Sequence, residues 1–396
     1  MDCIKMDNRR ITILHLITTL EIGGAEVMLW KLLSFMDKER FSNHVICLTD
    51  MGPIGERIVS LGIPVHSLNL PSGRITPKGI IRLWTLFRAI RPAVLQTWLY
   101  HADLLGLIFG KLSSVKNIYW NVRCSYMELN KYRFSTRLTR RLCSLLSSLP
   151  DAILTNSKQA KIYHQAIGYR AKHWKIVPNG FDINKLRPDR DAKPQILREL
   201  RVPNTHLKSG DRNGAPFFIG LIARYDPMKG HETFINAACH LLQERNDIHF
   251  ILAGRGVEWK NRELANRIPT TFQNHFHLLG QRNDIQKIIP ALDIASSASS
   301  GEGFPTTIGE AMACGVPCVV TNVGDSSFIV GDTGLVVPLQ DPIAMAKAWN
   351  QILAMSSDDR KGLGISARKR IVSNFPIERI VKEYENIYSS PIKEIN

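Results

Sequence analysis

DIASSASSGEGFPTTIGEAMACGVPCVVTNV, residues 293–323, decides how this chain is read. DIASSAS (293–299) and PCVVTNV (317–323) read as short buried strands, and helical spacing begins at Thr307 between them. In the joining loop and the first turns of the helix stand two acids, Glu302 and Glu310, around Gly-Phe-Pro. Thr307-Ile308-Gly309-Glu310 fits a capping box, with Thr307 as cap and Glu310 reaching back to a free backbone N–H. That reading accounts for Glu310 and leaves Glu302 unexplained.

The same alternation runs outward in both directions. Upstream in the second half lie strands at 217–223, 249–254 and 276–280, with a helix from Glu232; downstream come a strand at 334–339 and helices from Pro342 and Asp359. The first half shows strands at 11–17, 44–50, 65–70, 93–99, 117–123 and 152–157, with helices at 25–36, 79–92 and 134–149 among those between them. From Arg187 to Ala215 the pattern lapses into Pro, Asp, Asn, Gly and Lys, the composition of a linker, with only a short helical piece near QILREL (195–200). Two runs of alternating strands and helices imply an α/β chain with two doubly wound, mostly parallel sheets. Such sheets bind ligands beyond the carboxyl ends of their strands.

A length of 396 residues suits two or three domains, and 44% apolar residues argue against disorder. No apolar run approaches the ~20 residues of a membrane span. The N-terminus carries acids and no cleavage-site pattern, so no signal peptide is expected. The seven cysteines (3, 47, 124, 143, 239, 314 and 318) are scattered without C-x-x-C, which argues against a disulfide framework or a structural zinc site and fits a cytoplasmic protein. The net charge of +16 is uneven. Residues 1–196 hold 29 Lys and Arg against 14 Asp and Glu, whereas residues 197–396 hold 22 against 21. The first half therefore calls for an anionic partner: nucleic acid, acidic lipid or an anionic substrate.

Four strand ends carry candidate chemistry. EIGGAE (21–26) opens a helix with Gly23 and Gly24, where backbone N–H groups can meet a phosphate; an ordinary tight turn is the alternative. In RYDPMKG (224–230), Arg224 and Lys229 flank a turn before a helix and could neutralise a diphosphate, or be solvated surface charges. His101 ends the strand at 93–99, as an acid, base or hydrogen-bond donor, or as a structural histidine. Glu302 can accept several hydrogen bonds from the hydroxyls of a polyol, and Thr306-Thr307 starts the helix beside Phe304. Together these loops outline a cleft suited to a sugar bound through a diphosphate to a nucleoside.

On those residues the chain resembles the retaining glycosyltransferases of family 4 (group 1) over nearly its whole length. GGAE, YHADLLG, NSKQAKIYH, KIVPNGFD, RYDPMKGH, EGFPTTIGEAMACGVPCVVTNVGD and ERIVKEYENIY fall in the family's order, and Glu302 and Glu310 match its glutamate pair. The resemblance implies a GT-B fold, two Rossmann-like domains facing across a cleft. Residues 1–190 would bind the acceptor, 191–215 link, 216–372 bind the donor, and 373–396 form a helix returning to the N-terminal domain. It also implies roles. Glu302 would hold the donor sugar's hydroxyls. Backbone N–H groups along Phe304, Pro305, Thr306 and Thr307 would meet sugar and diphosphate. Glu310 would take the ribose, its capping role remaining open. Arg224 and Lys229 would hold the diphosphate, Gly23 and Gly24 would close over it, His101 would contact the reacting sugar, and Arg282 lies in the variable base-reading segment. The chain departs from the family in having Thr306 where Asn is common and Asn322 where Asp is common.

The implied reaction passes a sugar to an acceptor hydroxyl with retention of configuration, cations and a helix start stabilising the leaving diphosphate in place of a metal. No cofactor is expected; Asp189-Arg190-Asp191 fits the D-x-D metal pattern but lies in the linker. The basic first half suits a lipid-linked or polysaccharide acceptor and an anionic membrane surface, on the inner face of the plasma membrane. The apolar residues of the helices at 79–92 and 134–149 are expected mostly to face the core, so that expectation rests on charge alone. Two other classes compete. A sugar-nucleotide epimerase of the same fold would turn over a nucleotide sugar without an acceptor. A nucleic-acid-binding protein would use the charge, but the chain has no helix-turn-helix, aromatic strip or zinc pattern.

Overall fold

The computed structural model describes residues 10–71, 75–125, 134–202 and 216–390. The chain divides into two compact units, residues 1–180 with 377–396, and residues 181–376. The first runs β1 (Ile11–Ile17), α1 (Gly24–Phe35), β2 (Phe41–Cys47), α2 (Gly52–Val59), β3 (Val65–Ser67), α3 (Pro77–Ile90) and β4 (Val94–Trp98). It continues through α4 (Tyr100–Leu112), β5 (Asn117–Val122), α5 (Phe134–Leu146), β6 (Ala152–Thr155), α6 (Lys158–Ala166) and β7 (Trp174–Ile176). The second begins with α7 (Ala192–Glu199), β8 (Phe217–Ile222), α8 (His231–Leu242), β9 (Ile248–Ala253), α9 (Arg262–Ala265), β10 (Phe276–Leu278) and α10 (Ile285–Ile288). It ends with β11 (Ile294–Ser297), α11 (Thr306–Ala313), β12 (Cys318–Thr321), α12 (Ser326–Val330), β13 (Gly334–Val337), α13 (Pro342–Leu353) and α14 (Ser357–Asn374). The last helix, α15 (Ile377–Ser389), belongs to the first unit.

Each unit is a parallel sheet, in the order β3-β2-β1-β4-β5-β6-β7 and β10-β9-β8-β11-β12-β13. Strand order reverses between β1 and β4 in one sheet and between β8 and β11 in the other, the switch points where such sheets bind ligands. Helices cover both faces, so the central strands are apolar on both sides. Strand β8 sends Ile219 and Leu221 into one core and Phe218 into the opposite one. A period-2 alternation therefore vanishes from its sequence, FFIGLI, and a continuous apolar run remains.

The closing helix behaves as its spacing predicts. Ile377, Ile380, Val381, Tyr384, Ile387 and Tyr388 are all buried, in one core with Ile13, Ile17 and Leu29 of the N-terminal unit. Each such side chain contributes about 1.5–3 kcal/mol by leaving water. Polar atoms fix the register: Asn121 donates to the Tyr384 hydroxyl at 3.2 Å and the Tyr388 hydroxyl donates to Gln96 at 3.2 Å.

Several sequence readings need correction. Strand β2 lies at 41–47 rather than 44–50, because Thr49 and Asp50 belong to the loop that follows. Strand β7 has no counterpart among the expected strands, since it has only three residues with Lys175 at its centre. The helical piece expected near QILREL (195–200) forms as α7, but its Ala192 and Ile196 are buried in the second unit's core rather than exposed in a linker; residues 203–215 lie outside the described residues. The largest departure concerns α5. Its small residues Thr139 and Cys143 are the buried ones, while Phe134 and Leu145 are 71% and 72% exposed. Small side chains let α5 lie close to the rest of the first unit on that side, and Phe134 and Leu145 face away from it. No helix among the described residues is long and apolar enough to cross a membrane.

Candidate functional site

In the second unit two loops leave the strands flanking the switch point. The first, from β8, turns through Asp226, whose carboxylate accepts from the Met228 N–H at 2.9 Å and opens a short 3-10 turn over Pro227–Lys229. Gly230 then starts α8 at a φ of +65°. A Cβ there would overlap the Ala298 carbonyl oxygen, so only glycine lets this loop rest against the end of β11. The Ser300 N–H donates to the Met228 carbonyl at 2.9 Å and ties the two loops together.

This close approach joins Lys229 to Glu302. Lys229 Nζ stands 2.6 Å from Glu302 Oε1, with the two side chains only 21% and 14% exposed. The Ser299 hydroxyl donates to the same carboxylate oxygen at 2.8 Å. Ser299 is itself fixed, its carbonyl accepting from Thr321 Oγ1 at 2.6 Å. Beneath the loop, Gly324 at φ +57° has no room for a Cβ against the Glu302 carbonyl, and the Asp325 N–H donates to the Gly303 carbonyl at 3.0 Å. The Phe304 ring is buried, stacked on Phe181 at 6.2 Å and edge-on to Phe375 at 5.6 Å. The acidic loop is therefore anchored at both ends.

The capping box is not formed as read. Helix α11 begins at Thr306, with Pro305 in the capping position and no side-chain cap. Thr307 is the second helical residue, and Glu310 lies too far along the helix to reach back to the cap. Pro305 has no N–H to offer a ligand, so any backbone donation at this helix start comes from the residues around it. Arg224 pairs within its own loop: its guanidinium meets Asp226 Oδ2 at 2.9 and 3.2 Å and is about half exposed. Burial alone would raise the Asp226 carboxyl, but the Met228 N–H and Arg224 hold it below the ordinary range. Arg282 is engaged by Asp284 at 2.8 Å and by Glu199 of α7, partners that belong to neither loop of the Lys229–Glu302 pair.

In the first unit, Gly23 caps α1 in an extended conformation and Gly24 is its first residue, with open space where a Cβ would stand. The first turn also holds a buried acid, Glu26. His101 sits at the second position of α4, immediately after β4. Leu99, the residue capping that helix, has φ +72° and ψ 153°, a region where side chains are strained by about 1–3 kcal/mol. Burial pushes the His101 pKa down, which keeps the imidazole neutral at neutral pH.

Sequence reasoning named Lys229 and Glu302 but not their pairing. It missed Ser299, which no local signal separates from Ser296, Ser297 and Ser300. It missed Gly230 as the residue that permits the contact, and the strained Leu99 that caps the helix carrying His101.

Comparison with known proteins gives this geometry a context. Residues 216–355 match the family described as glycosyl transferases group 1, and residues 22–185 match glycosyltransferase family 4. A UDP-Gal:α-D-GlcNAc-diphosphoundecaprenol α-1,3-galactosyltransferase of Escherichia coli is 25% identical, the match covering 97% of this chain and 98% of that protein. The lipopolysaccharide core mannosyltransferase LpsB of Rhizobium meliloti is 26% identical over 89% of this chain and 95% of its own length. Among solved structures, Anabaena Alr3699/HepE in complex with UDP has a TM-score of 0.81 at 22% identity, covering 96% of this chain and 99% of that one. The same protein has also been solved with UDP-glucose. With two Rossmann-like units of the GT-B type, and with both halves matched in order, the chain belongs to the family 4, group 1 glycosyltransferases.

Proposed function

We propose that the protein is a retaining transferase moving a sugar from a nucleoside diphosphate to an acceptor hydroxyl, in the assembly of a surface polysaccharide or lipopolysaccharide. The observation that carries this reading is the Lys229–Glu302 pair at the switch point, a cation for the diphosphate beside an acid for the sugar. The acid is positioned by Ser299 and the cation by the Gly230 turn, so both are held before any ligand arrives. As the glycosidic bond breaks, charge gathers on the leaving diphosphate. Lys229, Arg224 and the start of α11 stabilise it, each well-placed donor contributing about 3 kcal/mol to the barrier. Glu302 holds the sugar's hydroxyls, the Phe304–Pro305–Thr306–Thr307 turn lies against sugar and diphosphate, and Glu310 takes the ribose. Arg282 stands near the base. Gly23 and Gly24 cover the diphosphate from the N-terminal domain, and neutral His101 donates to the reacting sugar.

The unit of residues 1–180 and 377–396 then receives the acceptor, and the unit of residues 181–376 the donor. Relatives supply the substrate classes. One is named for UDP-galactose and a diphosphoundecaprenol acceptor, and another for the lipopolysaccharide core. They support the reading of a UDP-sugar as donor and a lipid-linked acceptor, met at the cytoplasmic face of the membrane. No metal enters the proposed step, so turnover is expected to survive a chelator; activity abolished by chelation and restored by manganese contradicts this.

The test is a thermal-shift panel of nucleoside diphosphates and their sugars, because a ligand that binds only the folded chain raises its melting point. UDP and one UDP-sugar are expected to shift it. A panel without any shift, or turnover of a nucleotide sugar with no acceptor present, overturns the reading.

A further inference from the structure

Asp226 stands between the two cations of the loop after β8, and each of its carboxylate oxygens is engaged separately. Oδ2 accepts from Arg224 Nε at 3.2 Å and from Nη2 at 2.9 Å. Oδ1 accepts from the Met228 N–H at 2.9 Å, and the Asp226 carbonyl accepts from the Lys229 N–H, also at 2.9 Å. The acid is the more sheltered member of its ion pair, 25% exposed against 52% for Arg224.

An acid this close to cations meant for a diphosphate weakens their attraction for it, so its presence calls for a physical reason. Orientation supplies one. A free arginine side chain samples many rotamers and must be frozen when an anion binds, whereas a paired one is held beforehand. The Nε–Nη2 edge of Arg224 faces Asp226, which leaves the Nη1 amino group on the side away from the carboxylate. The other oxygen acts on the backbone. It closes the turn over Pro227–Lys229, and Gly230 follows with the left-handed φ that accompanies the meeting of Lys229 and Glu302. An exposed ion pair alone does little, but here the same carboxylate also caps the turn.

We propose that Asp226 is a positioning residue that sets both cations together, Oδ2 orienting the Arg224 guanidinium and Oδ1 closing the turn that carries Lys229. Arg224 and Lys229 then act as one unit on the leaving diphosphate rather than as two independent charges. Asp226 itself does not touch the donor. The proposal rests on the donor reading above and adds to it the residue that prepares the site before a ligand arrives.

Asp226→Asn separates the two tasks. The amide oxygen still accepts from the Met228 N–H, while the amide NH2 takes the place of Oδ2 and turns donors toward the donors of Arg224. UDP affinity by calorimetry, kcat and KM with a UDP-sugar, and a melting curve are measured for the unaltered chain, Asp226→Asn, Arg224→Ala and the double variant. Asp226→Asn is expected to weaken UDP about tenfold and to lower kcat by more than it raises KM, because charge on the diphosphate grows as the bond breaks. Its melting should stay close to that of the unaltered chain. With Arg224→Ala already in place, the same substitution is expected to change UDP affinity by less than about twofold, since its partner is gone. A full loss in that background means that Asp226 acts on the loop at large and overturns the proposal. Tighter UDP binding by Asp226→Asn, the mark of an acid that merely repels the ligand, overturns it too, as does no change at all. Should Asp226→Asn fail to fold, Arg224→Lys decides: it keeps the charge at a half-exposed position but lacks the guanidinium edge. That variant is expected to bind UDP as weakly as Arg224→Ala, and undiminished binding overturns the proposal. An unaltered chain that binds no UDP overturns the transferase reading, and the proposal with it.

Discussion

Lys229 and Glu302, 73 residues apart in sequence, form an ion pair 2.6 Å long at the carboxyl end of the second sheet. The group proposed to hold the diphosphate already holds the group proposed to hold the sugar. Each keeps the other in place without a donor, and each must share its partner when one binds. The contact depends on the residue after Lys229, because only a glycine in a left-handed conformation lets the two loops touch.

Removing the cation is the direct test. Lys229→Ala is expected to lower kcat/KM by about 10²–10³, the effect of one electrostatic donor of about 3 kcal/mol. Melting should change little, because Glu302 keeps the Ser299 hydroxyl. Steady-state kinetics with a UDP-sugar and a melting curve check both halves. Near-normal turnover refutes the role given to Lys229.

Glu302→Gln separates sugar from nucleotide. The amide keeps the shape but loses the charge and one acceptor oxygen. Calorimetric titration should show the UDP-sugar weakened at least tenfold while UDP itself binds as before. Equal losses for both ligands mean that Glu302 acts on the nucleotide or on the loop.

Gly230→Ala probes the backbone. Its φ of +65° and the overlap with Ala298 both oppose a side chain, so a loss of about 2 kcal/mol or more in the second unit is expected. Urea unfolding measures it. A variant as stable as the parent shows that the loops part easily and that their contact is not needed to hold the site.

Acid should weaken the fold in a defined window. Burial pushes His15, His164, His231 and His277 each down to about 4, against about 6.5 in the unfolded chain. Below pH ~6.5 the unfolded state takes up protons that the native state refuses, so stability falls from there to about pH 4 and is level above it. Melting temperatures at pH 7.5, 5.5 and 4.5 are expected to drop in that order. A flat profile contradicts the burial of these imidazoles in neutral form.

Much of this protein can be read one residue at a time. The first strand, Ile11–Ile17, falls where its apolar run predicts, and α15 buries the residues that its spacing selects. Short-range signals succeed there because each element's environment is uniform along its length. They fail at β7, a three-residue strand with a lysine at its centre, and at Leu99, whose left-handed backbone no leucine announces. They also fail at α5. An apolar stripe says that a helix has a sticky side, but which neighbour covers it depends on the rest of the fold. Here Thr139 and Cys143 are buried, while Phe134 and Leu145 stand in solvent.

By itself, then, the order of residues determined two parallel α/β sheets, the loops at their carboxyl ends and the family to which those loops belong. Local periodicity and turn chemistry need only a few adjacent residues to express themselves. Tertiary structure decided that Ser299 and Lys229 converge on one carboxylate oxygen, that Pro305 displaces Thr307 from the cap, and that an aliphatic cavity opens beside His101. Those facts join residues far apart in the chain. Packing brings such residues within hydrogen-bond range, and no spacing in the sequence encodes the distance.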